Sequence, residues 1–212
     1  MFLINTLNYG AKMRIIAAGA HPDDIEFGCF STLSYYRSIG YDIFVVLFSS
    51  GELLGDNKLR EDEAKESAKL IDSEIKFFKF PDANIKVNNK SIDIFRNYIS
   101  EIKPEMLFVH HPYDKHQDHK ATNEICLSST NSFEKILFYE GPSTYNFLPN
   151  VYFTIDNHFD KKVKGLKIFK SQTERPYLSI ESLKGLAEYR AYQCGRYGHL
   201  CEAFYCFKWM EI

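Results

Sequence analysis

No stretch of this chain approaches the roughly 20 consecutive apolar residues that a membrane-crossing helix requires, so no membrane span is expected. The N-terminus, Met1-Phe2-Leu3-Ile4-Asn5, is too short and uncharged for a secretory signal. Cys-x-x-Cys is absent as well. The five cysteines, Cys29, Cys126, Cys194, Cys201 and Cys206, are odd in number and irregularly spaced, which argues for reduced thiols in a cytoplasmic protein and against a disulfide framework. Metal ligation by Cys194 and Cys201 is the weaker alternative. A formal net charge of −2 and the lack of any long basic run argue against a nucleic-acid partner. The brief cluster Asp160-Lys161-Lys162-Val163-Lys164 reads as a solvated helix face. There are no internal repeats or low-complexity tracts, and no Gly-x-Gly-x-x-Gly follows the first strand, which disfavours a dinucleotide site.

What is present is an ordinary globular composition. The chain has 212 residues, 45% of them hydrophobic, with 18 Phe and 14 Tyr, which suits a single domain over 1–212 with a substantial core. Residues 1–12 precede a second methionine, Met13, and read as an N-terminal extension or an upstream start. Strand-like runs fall at 14–19, 42–48, 75–78, 106–109, 136–139 and 151–155; helical runs fall at 58–71, 92–102, near 158–171 and at 182–194. This alternation predicts an α/β fold with a mostly parallel sheet covered by helices on both faces.

Two of those strands run directly into ionisable residues. After 14–19 comes Ala20-His21-Pro22-Asp23-Asp24-Ile25-Glu26, and after 106–109 comes a segment, His110 to His119, holding four of the seven histidines. Open α/β sheets bind ligands beyond the carboxyl ends of their strands, and a His with an Asp three residues later suits a divalent metal there. Asp23 is then free to act as a base on water, although capping of the next helix by Asp23 or Asp24 explains the same residues. Ser49-Ser50-Gly51-Glu52 falls on the same rim, either lining the pocket or forming a turn in which Gly51 takes a positive φ.

The two segments resemble the paired signatures of the PIG-L/LmbE-like de-N-acetylases, metal hydrolases of the N-acetylglucosaminyl deacetylase type that act on N-acetylated amino sugars in mycothiol, bacillithiol and glycosylphosphatidylinositol synthesis. His21-Pro22-Asp23-Asp24 matches the first motif, continued by Glu26 and Gly28; His111-Pro112-x-Asp114-x-His116-x-Asp118-His119 matches the second, continued by Ala121-Thr122. The resemblance runs from about Arg14 to Phe207 and is loose after Glu140. It implies a Rossmann-like fold, with His21, Asp24 and His119 as metal ligands, Asp23 as general base, His116 beside the substrate carbonyl as a cation or proton donor, and Asp118 orienting His116. Arg60, in Arg60-x-x-Glu63, occupies the place of a substrate-binding arginine, and Cys201-Glu202-Ala203-Phe204 is similar to the family's terminal Ala-Glu-Ala-Phe. This chain departs from the family in having Phe30-Ser31 where a glycine pair is common, and Tyr113 lies one step away from the place of a mobile tyrosine.

A set of two histidines and one carboxylate leaves coordination positions open, as a catalytic rather than structural site requires, and serves Zn²⁺ or Fe²⁺. His110 and His111 are expected to lie outside that set. An N-cap is the rival reading of Asp118. The expected function is removal of the acetyl group from an N-acetyl amino sugar, free, nucleotide-linked or carried on a glycan precursor. The alternative is a catalytically silent sugar-binding or regulatory protein on the same fold. The partner is then a small molecule, with no nucleic acid and no membrane span; a homo-oligomer is compatible with the composition.

Overall fold

The computed structural model describes residues 12–129, 133–172 and 175–210, so the proposed extension over 1–12 falls, except for Lys12, outside them. The first strand, β1 (Arg14–Gly19), is apolar at every position from Ile15 to Ala18 because both of its faces are covered. Ile15 and Ala17 enter one core and Ile16 and Ala18 the other. Beside β1 lie β2 (Asp42–Leu47) and β4 (Met106–His110), both parallel to it, followed outward by β3 (Glu74–Phe77) on one side and β5 (Lys135–Tyr139) on the other. The strand order is β3-β2-β1-β4-β5-β7-β6, with β6 at Val151–Thr154 and β7 at Cys201–Trp209. The chain builds outward from β1 in one direction and then restarts at β4 in the other. The gap between β1 and β4 is therefore the topological switch point, where such sheets open a crevice.

The helices are α1 (Asp24–Gly28), α2 (Phe30–Ser38), α3 (Asn57–Lys69), α4 (Asn89–Ile102), α5 (Gln117–Ser129), α6 (Phe159–Ile168) and α7 (Ile180–Gln193). Phe30, Leu33 and Ala64 carry α2 and α3 into one core, while Phe95, Ile99, Ile125 and Cys126 carry α4 and α5 into the other. None of the described helices is long and apolar enough to cross a membrane.

β7 is the element missing from the sequence expectations. It runs antiparallel between β5 and β6, making the sheet mixed at that edge. Its alternation of Tyr205, Phe207 and Trp209 with Cys206 and Lys208 is a period-two pattern that marks it once the terminal motif is not read as a motif alone.

Two motif residues turn out to hold the fold together. A Cβ on Gly28 would lie 2.2 Å from the Tyr139 ring, and the hydroxyl of Tyr139 donates to the Ala18 carbonyl at 2.8 Å, so only glycine lets α1 sit against β5. Glu202 is buried and accepts from the Ser31 and Thr32 amides at 3.1 and 2.8 Å, from the Thr32 hydroxyl at 2.6 Å and from Lys162 Nζ at 2.8 Å. It satisfies the open N–H groups at the start of α2, the role that Phe30-Ser31 leaves to a distant side chain. Lys162 corrects the solvated-face reading of 160–164: it is 5% exposed and its ammonium also donates to the Phe27 carbonyl. Removing one partner of a buried pair leaves an uncompensated charge. Glu202→Ala is therefore expected to destabilise the protein by about 3–5 kcal/mol, with partial recovery in Glu202→Ala/Lys162→Met. Urea unfolding of both variants measures it, and an unchanged midpoint in Glu202→Ala would refute the role.

Candidate active site between β1 and β4

β1 ends at Gly19, and the chain turns through Ala20-His21-Pro22 into α1. Asp23 sits in the turn with φ 92° and ψ −20°, a left-handed conformation that costs a non-glycine residue of order 1 kcal/mol or more and aims its carboxylate into a cavity of about 390 Å³. It makes no capping bond to α1, and its buried Oδ2 has no hydrogen-bond partner, so the capping alternative does not describe it. Its nearest cations are Arg175 Nη1 at 3.6 Å and Arg60 Nη2 at 3.7 Å. Burial, and then the neighbouring charge of Asp24, push the Asp23 carboxyl up to about 6 against the pull of both arginines.

Asp24 joins the two motifs. Its Oδ2 accepts from the His21 amide at 2.8 Å and lies 3.6 Å from His21 Nδ1; its Oδ1 lies 3.4 Å from His119 Nε2. Burial opposes its charge, but His119 and His110 outweigh burial and hold it well below the usual carboxylate range. For His21, burial is likewise outweighed by Asp118, Asp24 and Asp82, which push the imidazole up to about 11. His119 is pushed up to about 9 by Asp24 and Asp114 against burial. Both rings thus take positive charge to balance the carboxylates around them. His21, His116 and His119 place ligand atoms within 4.8 Å of one another, and so do Asp24, His110 and His119.

The family profile of PIG-L, described as GlcNAc-PI de-N-acetylase, matches residues 16–129, a span that includes both histidine motifs. This chain belongs to the PIG-L family. It is 32% identical over 170 residues to the uncharacterized deacetylase YaiS of Escherichia coli K12, an alignment that covers 76% of this chain and 92% of that protein. Among solved structures, the N,N'-diacetylchitobiose deacetylase of Pyrococcus horikoshii superposes with a TM-score of 0.78 at 21% identity, covering 92% of this chain and 83% of that one. The 4-carboxy-2-hydroxymuconate hydratase GalB of Pseudomonas putida superposes with a TM-score of 0.81 at 16% identity, covering 94% and 98%. At these identities the structural likeness is one of fold, and one fold carries a deacetylase and a hydratase.

Within this PIG-L domain, the residues expected from the sequence converge in part. His21, Asp23, Asp24, Arg60, His116 and His119 line the one cavity. Arg60 is 1% exposed and directs Nη1 to the Gly51 carbonyl at 2.8 Å and Nη2 to the Pro22 carbonyl at 2.9 Å, so its hydrogen bonds brace the turn that carries Asp23. Gly51 has φ 73°, and a Cβ there would meet Arg60 Nη1 at 2.2 Å, which decides for the turn reading of 49–52. Glu63 of the same motif accepts from the Ser171 hydroxyl at 2.7 Å.

Asp118 and His110 stand elsewhere than expected. The Asp118 carboxylate does not hold His116. It lies 3.1 Å from His21 Nε2 and accepts from the amides of Ala83 at 2.7 Å and Ile85 at 3.1 Å, which also excludes an N-cap, since these donors belong to another segment. What reaches His116 is the Asp118 amide, donating to Nδ1 at 3.2 Å. That bond makes Nδ1 an acceptor and leaves the His116 proton on Nε2, while burial together with the charges of His119 and His21 pushes the ring's pKa down. His110, expected outside the metal set, stacks on His119 at 3.9 Å between centroids and brings Nε2 to 3.1 Å from Asp24 Oδ2. His111 points to the other side of β4, against Phe147 and Tyr205, and Tyr113 packs on Tyr145 outside the cavity.

Sequence reasoning gave no role to Asp114 of the second motif and missed Asp82, Arg175 and Tyr177. Asp114 Oδ2 lies 3.2 Å from His119 Nδ1 and is itself fixed by the Thr144 hydroxyl at 2.9 Å and by Ser143. Asp82, in the loop after β3, lies 3.0 Å from His21 Nε2. Its place just past a strand end, behind Pro81, was the available signal. Arg175 and Tyr177 close the cavity mouth, joined at 2.7 Å, with the Tyr177 ring edge-on to Phe27. Nothing local marks them, because they arrive from a turn remote in sequence.

Proposed function

We propose that this chain is a metal-dependent hydrolase that removes the acetyl group from an N-acetylated amino sugar or its conjugate. The observation that carries the reading is the pairing of a buried Asp23 carboxylate, whose Oδ2 accepts no hydrogen bond, with a His-carboxylate-His cluster in one cavity. His21, Asp24 and His119 are the residues that would hold the metal, Zn²⁺ or Fe²⁺. The donor set fits such an ion: the Asp24 carboxylate lies 3.6 Å from His21 Nδ1 and 3.4 Å from His119 Nε2, so two imidazole nitrogens and a carboxylate converge at the cavity wall. The bound metal would polarise the acetyl carbonyl and lower the pKa of the attacking water.

The chain's own groups supply the rest. Asp23 takes the proton from water as the C–O bond forms, with a carboxyl raised toward neutrality as a general base requires. His116 donates Nε2–H to the oxyanion that the carbonyl oxygen becomes. When the C–N bond breaks, the protonated Asp23 delivers its proton to the leaving amine, so acetate and the free amino sugar result. Arg60 keeps Asp23 aimed, and Phe27 and Tyr177 give the cavity apolar walls that suit the face of a sugar ring.

The deciding experiment is acetate release from a panel of N-acetylhexosamine derivatives by protein of measured metal content. Sugar binding without acetate release by metal-loaded protein would favour the silent binder instead. His116→Ala is expected to lower turnover by roughly 10²–10³-fold with metal content retained and KM changed much less, the usual effect of losing one oxyanion donor. Steady-state kinetics beside metal analysis checks it, and loss of metal would exchange the roles of His116 and His119.

A further inference from the structure

Metal-binding histidines are tuned by what holds the ring nitrogen that faces away from the metal. On His21 that nitrogen is Nε2, because Nδ1 is the one turned to Asp24. Two carboxylates converge on Nε2, Asp82 Oδ1 at 3.0 Å and Asp118 Oδ2 at 3.1 Å. Neither is free to move. Asp118 is fully buried and accepts from the Ala83 and Ile85 amides; Asp82 accepts from the Ala83 amide at 2.8 Å and from the Leu53 amide at 3.1 Å. The one Ala83 N–H is shared between the two carboxylates, the Ile85 amide adds a bond to Asp118 and the Leu53 amide, from the segment after β2, adds one to Asp82, and both carboxylates face one imidazole.

We infer that Asp82 and Asp118 are positioning residues for His21, holding its Nε2–H so that Nδ1 is the atom presented to the metal. Asp114 does the converse for His119, facing Nδ1 so that Nε2 is presented. The two histidine ligands therefore use opposite ring nitrogens, and each carries its own carboxylate on the far side. A carboxylate behind an imidazole raises its basicity and fixes its tautomer, and loss of such a partner typically weakens metal affinity by about 10–100-fold. Asp118 acts on the reaction through His21, not through His116, whose only bond to Asp118 is from the main chain. This inference rests on the reading of His21 as a metal ligand.

The test is the zinc dissociation constant, measured by competition with a chromophoric chelator on protein stripped of metal. Asp118→Asn is expected to weaken zinc binding about 10–100-fold, and Asp82→Asn to weaken it in the same direction. The decisive comparison is a double-mutant cycle, since coupling identifies which residue a partner acts through. The Asp118→Asn loss should largely vanish in a His21→Ala background and persist in a His116→Ala background. Thermal unfolding of the metal-free variants separates this from misfolding, and Asp82→Asn provides a second route to the answer if Asp118→Asn does not fold. Wild-type zinc affinity in both single variants, or a loss that persists in full without His21, would overturn the inference while leaving the metal reading intact. A second zinc equivalent per chain, lost in the Asp82 and Asp118 variants, would also overturn it, making the His21-Asp82-Asp118 cluster an ion site in its own right. A wild-type chain that binds no divalent metal would overturn the metal reading and this inference with it.

Discussion

Asp23→Asn is expected to lower turnover by about 10²–10⁴-fold while metal content stays near that of the wild type. The amide is nearly isosteric with the carboxylate, so the cavity keeps its shape, but it takes no proton from water. Asp23 stands apart from the cluster of His21, Asp24 and His119 in one respect: its carboxylate faces Arg60 and Arg175, and its Oδ2 has no hydrogen bond. A group so placed is available for proton transfer. Its left-handed backbone supports the same view, since strain of this kind persists where the surrounding structure imposes it. Near-normal turnover of Asp23→Asn with full metal content would remove Asp23 from the mechanism, and loss of metal would make it a ligand.

Asp24→Ala is expected to abolish metal binding and acetate release together. Asp24 meets both histidine motifs, at His21 on one side and at His110 and His119 on the other. Without it the two imidazoles have no shared anion, and the donor set loses its only oxygen. Metal catalysis contributes several kcal/mol of transition-state stabilisation, and each 1.36 kcal/mol is tenfold in rate, so activity should fall by more than about 10³-fold. Chelation of the wild type should reproduce the loss, and added Zn²⁺ or Fe²⁺ should restore the wild type but not the variant. His111→Ala is the control, since that ring packs on the far side of β4 and its replacement should leave metal stoichiometry unchanged. An Asp24→Ala protein that retains one metal and full turnover would refute the site. Elemental analysis of aerobic and anaerobic preparations distinguishes zinc from iron.

The strands bearing the site were legible because a buried parallel strand writes itself into the sequence as a short apolar run, and 14–19 and 106–109 do so without interruption. β7 was not, because its inward residues Cys201 to Phe204 form a motif whose purpose looked functional. Its Glu202 instead caps α2 across the core. Lys162 was misread for a related reason: a lysine among lysines on a helix is solvated by default, and only the arrival of Glu202 from another element makes burial tolerable.

The sequence by itself determined that two strand ends carry complementary histidines and carboxylates, because residues within one turn are held at fixed separations by local geometry: His21 with Asp24, and His116 with His119. The tertiary structure alone decided what stands behind each of them. That the Asp118 carboxylate faces His21 and not His116, that Arg60 bonds the Gly51 and Pro22 carbonyls, and that Asp82 and Arg175 reach the cavity depend on how loops remote in sequence pack on the sheet. A side chain's partner is set by the direction that packing imposes on it, and residue spacing along the chain carries no record of that direction.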